Sequence, residues 1–362
     1  MKPIITALAL CFSAPSLAAI ELGEYLSFSG FGSTSWTKSD NPTPLFVHRN
    51  ISDESCFDCD TTIGFQLDGY FNNFHASAQV VKRPQDDWDD PELEWAFIGY
   101  EWQDITFRIG QQRLPLFLTS EYYYVGHAYT TARPPTEVYD SLLGITSYKG
   151  VSFSWEFDIE DDGIVAITPF YGTKDSISVV VSPNSKVDLE TKEMWGINVT
   201  YSADNYRLNL SYLDSSYDQK VTLTNVVQMV PNVGQITIPQ MIIEDPNQSI
   251  ELFALGAEYE FDYLTLALEA ERNDRTTAWY GAINYNINQI TPYLVYGQLY
   301  DMNEDSIGDS VTIGARYDLL TNVSINAEWQ YLESDNNDRG PFISVPQEQE
   351  AHLFTLMVNF VF

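Results

Sequence analysis

The chain has 362 residues, is 14% aromatic with 23 tyrosines and 8 tryptophans, and carries a formal net charge of −33. This length and composition exclude collagen-like, coiled-coil and disordered classes. The acidity opposes nucleic-acid binding, and it suits a solvated secreted protein as well as the wet lumen and loops of a barrel.

Met1 and Lys2 are followed by an apolar core from Ile4 to Phe12 and by Ser16-Leu17-Ala18, which has the small residues of a cleavage point. This is the logic of a secretory signal, so residues 1–18 are expected to leave and 19–362 to form one domain. Loss of Lys2 takes the charge from −33 to −34. Cys11 should leave too; its acylation in a lipoprotein is disfavoured because Leu10 stands where such sites carry a small residue. No later run approaches the roughly 18 apolar residues that a spanning helix needs. Only Cys56 and Cys59 then remain, in a compartment where disulfides persist.

Along the rest of the chain the dominant signal is alternation with period 2. It appears in Ile105, Phe107 and Ile109; in Val151, Phe153, Trp155 and Phe157; in Trp195, Ile197, Val199 and Tyr201; and in Leu208, Leu210 and Tyr212. It returns in Phe253 to Phe261, Leu264 to Leu268, Val311 to Tyr317 and Val323 to Tyr331. The last stretch is the cleanest, with Phe354, Leu356, Val358, Phe360 and Phe362 on one face and Thr355, Met357 and Asn359 on the other. About 16 such segments fit the chain, enough for the 9 to 11 residues of a tilted spanning strand.

Short turns are expected at Asn72-Asn73, Gln103-Asp104, Asp161-Asp162-Gly163, Ala203-Asp204, Asp262, Asn288-Gln289 and Leu320-Thr321. Between them fall longer connections near 37–60, 83–91, 113–145, 173–193, 214–248, 300–309 and 333–350, with one short exception at Asn273. Short turns on one side and long loops on the other predict an all-β fold, a closed transmembrane antiparallel barrel of about 16 strands.

Several local features carry chemistry. Cys56-Phe57-Asp58-Cys59 lacks a second CxxC or a histidine cluster, so a loop-stiffening disulfide is preferred to metal binding or a redox pair, and no metal or cofactor is expected. Asp86-Asp87-Trp88-Asp89-Asp90 is either a solvated loop or a divalent-ion bridge to lipopolysaccharide or a neighbouring subunit. Asp158 to Gly163 begins like a calcium loop, but Pro169 stands where a bidentate Glu is needed, so a turn is expected. His48, His75, His127 and His352 are scattered without a catalytic motif, and no enzyme activity is expected.

The connection at 113–145 is long enough to fold into the lumen and narrow it. It offers Arg113, Glu121, His127, Arg133, Glu137 and Asp140. Parity places Arg108, Arg207 and Arg316 on the lumenal wall with Glu156, Glu258, Glu269, Glu271 and Glu328. Solvation in a wet lumen is the plain account of any one of these charges. Pro134-Pro135 should stiffen the segment and stop a helix from continuing through it.

The terminal pattern ending on Phe362 resembles the signal by which barrel-assembly machinery recognises outer-membrane proteins. Size, strand count and the long third loop resemble the 16-stranded trimeric general porins of Gram-negative bacteria. Leu114-Pro115-Leu116-Phe117, Val125 to Tyr129 and Arg133 to Tyr139 resemble the third-loop region of porin-like proteins from marine γ-proteobacteria. The resemblance implies a homotrimeric outer-membrane channel in which opposed charges select small hydrophilic solutes and ions. Excess lumenal acid leans it toward cations. Two alternatives stand: a selective porin for sugars or small carboxylates, with Tyr122, Tyr123, Tyr124 and Tyr129 as a stacking track, and a non-conducting barrel used in adhesion or as an enzyme.

Overall fold

The computed structural model describes residues 19–84, 91–142, 145–159, 163–182, 184–230 and 234–362. The expected signal segment, the acidic run Asp86 to Asp90 and residues 160–162 of the calcium-loop-like stretch lie outside the described residues. The strands are β1 (Ile20–Glu21), β2 (Leu26–Ser39), β3 (Thr62–Phe71), β4 (Phe74–Lys82), β5 (Glu92–Trp102), β6 (Ile105–Arg113), β7 (Ser147–Ile159), β8 (Gly163–Gly172) and β9 (Asp175–Ser182). They continue as β10 (Ser185–Ser202), β11 (Tyr206–Val230), β12 (Gly234–Glu260), β13 (Leu264–Asn273), β14 (Thr276–Tyr285), β15 (Ile290–Asp301), β16 (Ser306–Leu320), β17 (Val323–Ser334) and β18 (Glu350–Val361).

Apart from β8 and β9, each strand pairs antiparallel with the next, and β18 pairs with β2 from Leu353↔Ser39 to Val361↔Phe31, which closes the sheet. The two-residue β1 is a stub on β2, and β8 and β9 pair in succession with β10 as one interrupted strand, so the wall has 16 strands out of the 18 segments. Closure matters because an open sheet edge in lipid leaves backbone groups without partners.

The alternation sorts side chains as the sequence predicts. Phe107 and Ile109 are exposed on the outer face, and Arg108 between them faces inward. On β18, Leu356 is 49% exposed while Asn359 is fully buried. Asn72, Gln103 and Asn288 adopt left-handed backbone at three of the expected short turns, with φ of 53°, 54° and 56°. Tight turns between twisted strands require this conformation, which Asn adopts more readily than most residues.

Three connections differ from the expected long loops. Residues 173–193 and 214–248 continue the sheet, with β9 to β12 forming a ribbon above the wall. β13 pairs with β12 only as far as Leu252↔Asn273, but β11 and β12 stay paired to Val230↔Gly234, on the order of 60 Å further at about 3.3 Å per residue. The connection near 300–309 shrinks to the turn 302–305 between β15 and β16. Pro, Asn and Asp within 214–248 read as loop residues, yet the hydrogen-bond ladder shifts register past Tyr217 and continues.

The main apolar core lies inside the barrel. Leu114, Leu116, Phe117, Tyr123, Tyr124, Val138, Tyr139 and Leu142 from the β6–β7 connection pack against wall residues such as Leu213, Leu252, Ala278 and Tyr293. A second cluster at the outer mouth joins Leu45, Phe46 and Ile51 to Leu332, Phe342, Ala351 and Leu353.

Candidate pore constriction

The connection between β6 and β7 turns into the lumen. It forms two short 3-10 turns, Ser120–Tyr122 and Gly126–Ala128, and one helical turn, α1 (Thr136–Tyr139), which starts directly after Pro135. Proline suits that place because its fixed φ starts a helical turn and its missing N–H is not needed there. Gly126 is required by close approach, since a Cβ there would lie 2.4 Å from Asn359 Oδ1 and 2.5 Å from Ser33 Oγ.

Polar contacts hold this plug at several points. Arg133 donates to Asp60 Oδ2 at 2.9 Å, to Thr355 Oγ1 at 2.6 Å and to Glu328 Oε1 at 3.3 Å, and the Ala132 amide donates to Glu328 Oε2 at 3.1 Å. Arg49, from the connection between β2 and β3, binds the same Asp60. On another side, Glu269 accepts from the Leu118 amide at 2.7 Å, Tyr139 Oη at 2.7 Å and Tyr280 Oη at 2.6 Å.

Arg316 donates to the carbonyls of His127 and Tyr129 at 2.8 and 2.7 Å, and Asn326 donates to that of Thr130 at 2.6 Å. Near the start of the segment, Arg113 and Arg83 both pair with Glu94, at 2.9 and 2.5 Å. Their guanidinium groups stack on Tyr124 at 4.6 and 5.0 Å. Asn209 and Ser211 add hydrogen bonds to the carbonyls of Leu116 and Pro115.

The structure therefore brings together Arg113, Arg133, Glu269, Arg316 and Glu328 around the plug, with Glu137 accepting from Ser310 Oγ at 2.5 Å. Arg108 faces the lumen further along β6, 5.4 Å from the Phe97 ring. Of the residues 114–142, only Glu121 and Ala128 are exposed. The segment is thus enclosed on both sides, where a tongue lying along one wall would leave one face in water. The expected stacking track is corrected in part: Tyr123 and Tyr124 are buried at 9% and 4% exposure, while Tyr122 and Tyr129 remain partly open.

The charges inside the plug respond to enclosure. Burial pushes the Asp60 carboxyl up, but Arg133 and Arg49 outweigh it and hold the group well below the usual carboxylate range. Asp140 is pushed up to about 6 by burial, with Arg49 opposing. Burial also raises Glu137, against its hydrogen bond from Ser310.

Beside the plug lies a cavity of about 480 Å³. It is lined by Tyr122, Tyr129 and Pro134-Pro135 on one side and by Arg207, Glu258, Asn284 and the Ser202 to Asn205 turn on the other. Arg207 bridges the two, 3.2 Å from Tyr122 Oη and 3.3 Å from Glu258.

Sequence reasoning missed Arg49, Asp60, Arg83 and Glu94. Glu94 shares its parity with the outward Ile98 and Tyr100, but β4 pairs Gln79 with Trp95 and Val80 with Leu93, leaving Glu94 as the bulged residue. A bulge turns its extra residue to the other face. Arg49 and Asp60 lie in a connection without periodicity and gave no signal.

Solved structures of outer-membrane proteins share this architecture. The OmpT of Vibrio cholerae is 13% identical, with 96% of this chain and 99% of that chain covered and a TM-score of 0.59. An anion-selective porin from Comamonas acidovorans is 10% identical over 94% and 100% of the two chains, with a TM-score of 0.61. OmpF of Salmonella typhi, solved with daunomycin, is 13% identical over 93% and 97%, with a TM-score of 0.60. At such identities the likeness is one of fold. No curated protein matches the chain. The family model described as Gram-negative porin matches residues 5–337, nearly the whole chain, and the protein therefore belongs to the Gram-negative porin family.

Proposed function

We propose that this outer-membrane porin passes small hydrophilic solutes and ions by diffusion, and that the docked segment 114–142 sets how much passes. The supporting observation is the enclosure of that segment by charged and hydrogen-bonded anchors on the wall. A plug held by reversible polar contacts narrows a channel without abolishing it. Its one exposed charged side chain is Glu121, and the adjoining cavity carries Glu258, Glu260 and Asp204 against Arg207, so cations are favoured over anions. Export by a cleaved signal, recognition of the Phe354 to Phe362 strand by barrel-assembly machinery, contact with lipopolysaccharide and assembly as a homotrimer belong to the same proposal.

Conductance of the purified barrel in a planar bilayer tests the central claim. Discrete steps with a cation-selective reversal potential are expected, larger in a variant lacking residues 118–132. A folded barrel that conducts in neither form sinks the channel reading and leaves the non-conducting adhesive or enzymatic barrel.

The cavity at Tyr122, Tyr129 and Arg207–Glu258 favours one refinement, a porin selective for sugars or small carboxylates. Aromatic faces beside paired charges and amides bind sugars by stacking and by planar hydrogen bonds. Saturable flux in liposomes supports selectivity, and flux linear in solute concentration opposes it.

A further inference from the structure

Cys56 and Cys59 are joined by a disulfide that closes a four-residue turn in the first outer connection. Cys56 pairs with Thr37 of β2 by backbone hydrogen bonds of 2.9 Å in both directions, and Cys59 packs on the cluster of Leu45, Phe46 and Ile51. The next residue is Asp60, whose side chain is fully buried. It receives Arg133 of the plug, Arg49, and Thr37 Oγ1 at 3.1 Å. Between the sulfurs Phe57 is 65% exposed, and both cysteines are only half-buried. The two cysteines are thus partly open to water beside an exposed Phe57, while the residue that follows them faces the plug.

A ring this small removes little freedom from an unfolded chain, so it contributes little to the stability of a 16-stranded barrel. Its local effect is larger. It fixes the backbone leading into Asp60 and thereby the acceptor on which Arg133 docks.

We propose that Cys56–Cys59 is a thiol–disulfide exchange site, through which low-molecular-weight thiols outside the cell loosen the plug. A thiolate attacks one sulfur, the Cys56–Cys59 bond breaks, a mixed disulfide forms, and the other cysteine leaves as a thiolate that takes a proton. A second thiol attacks the mixed disulfide and releases the symmetric small disulfide. Two small thiols are oxidised and the protein gains two thiols, a two-electron exchange. With the ring open, Asp60 is free to move off Arg133, and the plug keeps Glu328, Gln330 and Thr355 at that anchor.

The proposal rests on the channel reading for one of its two readouts. In planar bilayers the full-length barrel should conduct at least threefold more after dithiothreitol, and oxidised glutathione should restore the lower level. A C56S/C59S variant should be high throughout and indifferent to both reagents. The second readout is independent of current: amide exchange of Leu118 and Ala132, followed by mass spectrometry, should quicken on reduction. Two thiols appearing per chain without a change in that exchange overturn the proposal, as does a disulfide that excess thiol fails to open in the folded barrel. Quickened exchange in a barrel that never conducts upholds the proposal and sinks the channel reading. Should C56S/C59S fail to assemble, the reductant titration of the unaltered protein decides alone.

Discussion

The ring of Phe362 lies across the backbone of Gly30. The two residues exchange hydrogen bonds of 2.9 Å in each direction, and a Cβ on Gly30 would fall 2.4 Å from Phe362 Cζ. Phe360 covers Gly32 in the same way, at 2.5 Å. Phe28 and Phe65 lie 6.2 and 6.4 Å from the Phe362 ring, so the last residue joins an aromatic cluster on the outer face of the closing seam. Gly30→Val should displace the ring and destabilise the barrel by on the order of 1–3 kcal/mol. Because G30V and F362A remove the same contact, their double variant should cost clearly less than the two single losses together. Thermal unfolding followed by heat-modified gel migration measures this; strict additivity would show that the ring does not depend on Gly30.

Arg133 is the most heavily committed side chain of the plug. Arg133→Ala leaves Glu328 without its guanidinium and Asp60 with Arg49 and the Thr37 hydroxyl, inside a site where the side chains of Arg133, Glu328 and Asp60 are 4%, 3% and 0% exposed. Removing one partner from a buried ion pair costs about 3–5 kcal/mol, here charged to the docked state of the segment. The variant should fold, since the wall ladder is untouched, and should conduct more with noisier open levels. Arg133→Lys should recover only part of the effect, because an ammonium cannot reach Asp60, Glu328 and Thr355 with one planar fork. Unchanged conductance in R133A would remove this anchor from the gate.

Acid should tighten the plug. Asp140 faces Arg49, Glu137, Arg339 and Arg133, and burial raises it from 3.8 to about 6. Glu137 is raised as well. A carboxyl with a raised pKa in the docked state binds more protons docked than free. Docking is therefore favoured at low pH and loses that favour as pH rises through about 6. Asp60, held low by its two arginines, stays ionised across this window and keeps its contacts. Conductance should fall as pH is lowered from 7.5 to 5, and D140N should flatten the curve. His127, lowered by burial and by Arg316, pulls the other way, so the difference between D140N and the unaltered protein is the test, and identical curves contradict the assignment.

The wall was legible because period 2 is a direct consequence of strand geometry, and residues such as Phe107, Arg108 and Ile109 declare their faces without knowledge of their neighbours. Turns were legible where Asn had to adopt positive φ, at Asn72 and Asn288. The ribbon of β11 and β12 was not, because prolines such as Pro239 and Pro246 read as breakers, although strands with a free edge tolerate them. The site was half legible. Arg133, Glu269, Arg316 and Glu328 followed from loop length and wall parity, but Asp60 and Arg49 owe their roles to the meeting of separate connections, and Glu94 to a bulge. Such meetings depend on contacts far apart in the chain, which no local pattern encodes.

Glu269 offers a test of whether the plug moves as one body. Its carboxylate accepts from the Leu118 amide, Tyr139 and Tyr280, so it fastens both ends of the segment to β13 and β14, remote in the chain from the Arg133 anchor. Glu269→Leu leaves two tyrosine hydroxyls and a backbone amide without their acceptor, at about 1–3 kcal/mol for each buried donor left unmade. If the segment docks rigidly, releasing either anchor frees it, and R133A/E269L should conduct little more than the larger single variant. If each anchor holds its own stretch, the two increments should add. The enclosed core of Phe117, Tyr123, Tyr139 and Leu142 argues for the first outcome, because these side chains pack on one another across the plug. Single-channel amplitudes of the four proteins measure the coupling directly, and full additivity would mean two independent flaps where one plug is expected.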